Sequence, residues 1–116
     1  LQHARRMIEL ALRGRVIEWR WEKQRGRNIK TLEGAMGQLD EMMGVHALDA
    51  EDVVHQIHME LVGSRLMLAP ALRNEMLDAL ADCDVSLRRT IHSRIQIEHF
   101  LHKVSNAGRR HGLAMS

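Results

Sequence analysis

Eight histidines are the first residues of this chain that invite chemistry. His55 and His58 stand i,i+3 on one predicted helix; His92, His99 and His102 fall beside Ile95 on a face of another, with Glu98 and His102 at i,i+4. Imidazole is the commonest metal ligand, and a helical bundle can assemble a metal or haem site from facing helices. A carboxylate-bridged di-iron centre, however, needs Glu-x-x-His twice together with two further inward acids. That spacing never occurs, because Glu51 to His55 and Glu98 to His102 are each one residue too long. The five histidines are therefore read first as polar flanks of a core stripe, and a His-lined metal- or haem-binding bundle stands as the alternative. No cofactor is expected.

Nucleophilic chemistry has less to build on. Cys83 lies on an inward-facing stripe with no basic residue at i±3 or i±4 to favour a thiolate. The serines are scattered, the glycines form no phosphate loop, and no two carboxylates are spaced as an acid and base pair. Catalysis is not expected. A single cysteine excludes an internal disulfide and fits a reducing, cytoplasmic setting.

The elements that would position these residues are predicted to be helices. The 116 residues suffice for one domain with its own core, and one proline, no tyrosine and one phenylalanine in a Leu-, Met-, Ala-, Arg- and Glu-rich chain favour helix over sheet. No apolar run reaches the roughly 18 residues of a membrane span, and nothing resembles a cleavable signal. Because the chain opens on Leu1, sequence upstream of it is expected to have been cut away.

An opening helix places Leu1, Ala4, Met7 or Ile8, Ala11 and Leu12 on one stripe and is interrupted at Gly14. Ile29, Leu32, Met36, Leu39 and Met43 form a second seam, with Gly44 as its C-cap. A third helix starts at "ALDAED", with Asp49 as N-cap, and carries Val54, Ile57 and Leu61 inward. Pro70 opens a last helix of about 35 residues, with Leu72, Met76, Leu80, Cys83, Leu87, Ile91, Ile95, Leu101 and Val104 inward.

The stretch "RVIEWRWEKQ", residues 15–24, is ambiguous. As a strand it would place Trp19 and Trp21 on one face; as a helix it sets them about 200° apart. A lone strand is unstable and no second segment shows sustained alternation, so the stretch is predicted to be helical, with one tryptophan semi-buried and the other a contact residue.

The net charge of +2 conceals three blocks: +6 over residues 1–30, −9 over 31–84 and +5 over 85–116. Basic ends lying on an acidic middle, or a middle that docks a basic partner, account for this better than a nucleic-acid surface does. A basic helical regulator touching nucleic acid is thus only a further alternative. Met36, Met42, Met43, Met59, Met67 and Met76 can fill an irregular core or supply an adaptable groove for an amphipathic helix. The expected partner-binding surface joins Met36, Leu39, Met43, Ile57 and Leu61 to Leu87, Ile91 and Ile95, with Trp19 and Trp21 as added contacts.

Two segments carry a resemblance to a known family. "MIELALRGRVIEWRWEKQRGRNIKTLEGAM" and "MLDALADCDVSLRRTIHSRIQIEHFLHKVSNAGRRHGLAMS" resemble the opening and closing helices of the flagellar export chaperones of the FliT type. The spacing of Gly14 and Trp19 departs from that pattern, and Leu113 and Met115 stand where the family often has an aromatic. The resemblance implies a cytoplasmic chaperone of the flagellar type III pathway without cofactor or chemistry. Its client would be the filament-cap protein, and export-apparatus components and a flagellar regulator would be further partners. It also implies that the last helix, from about Leu87 to Val104, can act as a removable cover on the client groove. The expected whole is an all-α, small antiparallel helical bundle of three to four helices with a long C-terminal helix. It forms one domain over residues 1–104 with a mobile tail over 105–116, and some self-association is expected.

Overall fold

A computed structural model describes residues 3–113, so Leu1 of the opening stripe and residues 114–116 of the expected tail lie outside the described residues. The chain is mostly helical but not purely so. Helix α1 (His3–Leu12) is followed by strands β1 (Glu18–Gln24) and β2 (Arg27–Glu33), helix α2 (Gly34–Asp40), a π-helical turn (Glu41–Val45), and helices α3 (Ala50–Val62), α4 (Pro70–Leu87) and α5 (Ser93–Arg110). The helices form one layered body, in which α5 packs on α4 and α1, α1 on α2, and α3 on α4. Phe100, Met7, Ile8, Leu39, Ile57 and Leu101 are among its fully buried side chains.

The expectation of an all-α bundle fails at residues 18–33. β1 and β2 form a two-stranded antiparallel ribbon in which Glu18 faces Glu33, Trp21 faces Lys30 and Gln24 faces Arg27. Arg25 and Gly26 connect them with φ of 53° and 77°, the two left-handed residues of a type I′ hairpin loop, whose twist matches that of the strands. A lone strand would indeed be unstable. Its partner is the segment assigned above to the start of a helical seam: Ile29 belongs to β2 and lies at the surface, and only Met36 and Leu39 continue inward on α2. Tryptophan, isoleucine and threonine favour a pleated surface, and cross-strand pairing settles the conformation that helical spacing left open.

Both ends of the ribbon are fastened at one point. The N-terminal amides of a helix need partners, and α2 has no side-chain cap. The Ala35 N–H instead donates to the Arg15 carbonyl and the Met36 N–H to the Val16 carbonyl, each at 2.9 Å. Gly34 makes this approach feasible. Its φ is +77°, and a Cβ there would lie 2.6 Å from the Arg15 carbonyl oxygen. A second close approach holds α5 on α1, where a Cβ on Gly108 would lie 2.1 Å from the Leu12 carbonyl oxygen.

The third helix forms as its sequence implies. Asp49 and Asp52 make a reciprocal capping box, the Asp52 N–H donating to Asp49 Oδ1 at 2.8 Å and the Asp49 N–H to Asp52 Oδ2 at 3.3 Å. Pro70 begins α4 in the first-turn position where its missing N–H costs nothing. Gly44 is not a C-cap: it lies within the π-helical turn that prolongs α2.

The single 35-residue helix expected after Pro70 is two helices. The chain leaves α4 after Leu87 and re-enters helix at Ser93, with the His92 N–H donating to Thr90 Oγ1 at 3.0 Å in the connector. Ile91 and Ile95, expected inward, are exposed, and Ile97, Phe100, Leu101 and Val104 form the buried stripe of α5. α5 also continues past Val104 to Arg110, burying Ser105, Ala107 and Gly108, so residues 105–110 belong to the body rather than to a tail. Lifting α5 away as a cover would expose the stripe of Ile97, Phe100, Leu101 and Val104.

Alanine at Gly34 or Gly108 should lower the unfolding free energy by about 1–3 kcal/mol each, through backbone overlap and, at Gly34, an unfavourable φ. Gly44→Ala, which meets open space, should be neutral or slightly stabilising. Urea unfolding of the three variants, followed by far-UV circular dichroism, checks this order.

Candidate functional site

No three His, Cys, Asp or Glu side chains converge on a position that could hold a metal ion among the described residues. His55 and His58 are exposed on α3 and line, with Glu51 and Asp84, a groove of about 470 Å³ between α3 and α4. His92, His99 and His102 are exposed on the connector and on α5. His3 and His46, by contrast, do meet, with Nε2 atoms 3.1 Å apart, while His3 Nδ1 lies 2.9 Å from Gln38 Oε1. This pair ties α1 to the end of the π-helical turn.

Cys83 is buried beside α5, and its thiol donates to the Gln96 carbonyl at 3.4 Å. Burial, reinforced by Asp84 and only partly offset by Lys103, pushes the thiol from 9.0 up to about 11. The group stays protonated and non-nucleophilic at neutral pH, as its inward position and lack of basic neighbours suggested.

The expected partner surface is dispersed by the fold. Met36, Leu39, Ile57 and Leu61 are core residues, Met43 and Leu87 are half-buried against that core, and only Trp19, Trp21, Ile91 and Ile95 present substantial apolar surface. Two separate surfaces result. One is the junction of α4 and α5, where Val85 in the last turn of α4, Ile91 in the connector (92% exposed) and Ile95 in the first turn of α5 (56%) all face solvent. The other is the ribbon, where Trp19 is 51% and Trp21 63% exposed. Of the methionines taken as core or groove, Met36, Met42 and Met76 are buried, while Met59 and Met67 are exposed.

The ribbon has two unlike faces. Residues opposite one another in an antiparallel pair share a face, so the register puts Trp19, Trp21, Lys23, Asn28, Lys30 and Leu32 on one side. Glu18, Arg20, Glu22, Ile29, Thr31 and Glu33 are on the other. All three carboxylates therefore lie away from the tryptophans. They are also engaged: Arg20 reaches Glu33 at 3.0 Å and Glu22 at 3.8 Å, and Arg15 holds Glu18 at 2.9 Å. The Glu18 hydrogen bond raises the Arg15 guanidinium above its ordinary value. On the tryptophan face the Lys30 ammonium lies 4.2 Å from the Trp19 ring centroid and 5.6 Å from that of Trp21. Sequence reading singled out the two tryptophans but missed these basic companions; the Gly26 turn and the alternation of Ile29 and Thr31 with Lys30 and Leu32 were the available signals.

The charge blocks meet across helix contacts. Arg94 pairs with Asp40 as well as with Glu98 of its own helix, Lys103 lies 3.8 Å from Asp82, and Arg110 and His111 both reach Glu75. Burial opposes the Arg94 charge, but hydrogen bonds to Glu98 and Asp40 outweigh it and hold its pKa above the ordinary value. Such partly exposed pairs each contribute about 0–1 kcal/mol, so they orient α5 more than they hold it.

The fold is that of a small, mostly helical domain with an appended two-stranded ribbon. The chain belongs to the replication factor C C-terminal domain family, whose family model matches residues 25–103, from the hairpin turn to the middle of α5. No curated protein and no solved structure matches the chain. The family match lends no support to the flagellar chaperone resemblance, whose opening segment includes the stretch that folds as the ribbon. No helix among the described residues is long and apolar enough to cross a membrane.

At pH 8 the folded chain should react with a thiol-specific disulfide reagent at least tenfold more slowly than the urea-unfolded chain. Because the folded thiol titrates above the unfolded one, its contribution to stability is complete below about pH 9 and should be lost as pH rises toward 11. Equal labelling rates in the two states would contradict the buried, protonated assignment.

Proposed function

We propose that this chain is the C-terminal association domain of a replication factor C subunit, packing against a neighbouring subunit and performing no chemistry of its own. Family membership supports the first part, and the observation that carries the second is the apolar surface at the α4–α5 junction. Val85, Ile91 and Ile95 face solvent there, in a stretch that also carries Arg88, Arg89 and Arg94. Burying a side chain of this size stabilises by about 1.5–3 kcal/mol, which an isolated monomer forgoes. An apolar centre with a charged rim is the usual make-up of a protein interface.

The groove between α3 and α4, lined by Val54, Leu77 and Leu80 together with His55 and His58, offers a second concave apolar surface beside exposed Met59 and Val62. A protein partner could extend its contacts there, and self-association belongs to the same reading. The alternative of a flagellar export chaperone would also use apolar surface, but no observation favours a filament-cap client, an export-apparatus contact or a flagellar regulator.

Sedimentation velocity of the full chain, alone and mixed with replication factor C subunits from the same source, tests the proposal. Association should be concentration-dependent, and Ile91→Ser combined with Ile95→Ser should weaken it at least tenfold with the circular dichroism spectrum unchanged. Association unaffected by the double substitution would contradict the assignment. Binding to a filament-cap segment, with no association with replication factor C subunits, would favour the chaperone instead.

A further inference from the structure

We propose that the β1–β2 ribbon is a docking arm for single-stranded nucleic acid, with Trp19 and Trp21 stacking on bases and Lys23, Arg25 and Lys30 holding phosphates. Three independent features of the ribbon carry this. Both indoles are more than half exposed on one face and stand about 7 Å apart along the strand, so each ring keeps area free for a base. Lys23, Asn28 and Lys30 share that face and no carboxylate does, every acid of the ribbon being on the opposite side and engaged by Arg20 or Arg15. Lys23, Arg25, Arg27 and Lys30, by contrast, are all exposed and make no ion pair among the described residues.

Aromatic faces beside unneutralised cations are what sequence-tolerant single-strand binding requires: bases stack, and the backbone follows the positive charge. The Lys30 ammonium also lies near both ring centroids, which sets a cation directly beside the aromatic platform. An acidic peptide would answer the cations but leave the exposed indole faces without a role, and a duplex would keep its bases stacked on one another. A single strand satisfies both halves of the surface. The arm uses no residue of the α4–α5 junction, so this inference does not rest on the association reading.

The test is titration of the full chain with an oligothymidylate of about 16 nucleotides, near the upper end of known single-strand site sizes. Tryptophan fluorescence is the readout, because both tryptophans of the chain are on the arm. Binding should quench emission, and log affinity against log salt should fall with a slope of about −2, as three phosphate contacts to a single strand imply. Trp19→Ala and Trp21→Ala should each weaken binding about tenfold or more, detected by anisotropy of a labelled strand. Lys23→Ser should lessen the salt slope by about 0.7, whereas Thr31→Ser on the opposite face should change nothing.

These side chains are exposed, so the variants should fold, and an unchanged helical dichroism spectrum checks this. Absence of quenching at low salt, or equal affinity after removal of both indoles, would overturn the proposal. Tighter binding of a duplex, or of polyglutamate, than of the single strand would also overturn it, in favour of charge-driven capture of another partner.

Discussion

The arrangement depends on a backbone-to-backbone clamp at Gly34. There the chain leaving α1 passes so close to the start of α2 that the carbonyls of Arg15 and Val16 satisfy the amides of Ala35 and Met36. One contact thereby caps a helix that has no side-chain cap, closes the base of the hairpin and sets the direction in which the ribbon leaves the body. A side chain at Gly34 would have to displace backbone rather than a flexible neighbour. Buried Val16 and half-buried Leu32 seat the base of the ribbon, while its outer part stays solvated on both faces.

This division gives the two parts different tasks. The helical body has a continuous core, secured on one side by the approach of α5 to α1 at Gly108, and α5 is integral to it through Ile97, Phe100 and Leu101. The ribbon contributes little to that core, so its tryptophans are not explained by packing. A two-stranded ribbon is marginal in isolation, and fastening both its ends to a stable body makes a short exposed one tenable. The radius of gyration of 14.5 Å, against about 13 Å for a compact chain of this length, reflects the elongated outline, 48 Å along its longest axis.

Much of the body was legible in the sequence. Asp49 with Asp52, Pro70, and the inward run from Leu72 to Cys83 all do what local chemistry implies, because caps and helical stripes are set by near neighbours in the chain. The ribbon was not legible by the same means, since the choice between strand and helix for residues 18–24 depends on partners three to fifteen residues on, and Arg25-Gly26 is a less familiar hairpin turn than Asn-Gly. The expected inward stripe stepped six residues from Ile95 to Leu101, which sets the two on different faces of α5, while nothing in the local pattern marked the break at residues 88–92. Reading through it turned Ile91 and Ile95 inward when they face solvent. The expected contact residues fell on core and surface alike because apolar periodicity marks a buried seam and does not distinguish a partner from the rest of the same chain.

The clamp and the ribbon it orients are tested most directly by nuclear magnetic resonance on the isotopically labelled full chain. Cross-strand proton contacts between Trp21 and Lys30 and between Lys23 and Asn28 are expected, together with slow amide exchange at Ala35 and Met36. Sequential amide-to-amide contacts running through residues 18–24, with fast exchange at Ala35 and Met36, would instead describe a continuous helix and contradict both.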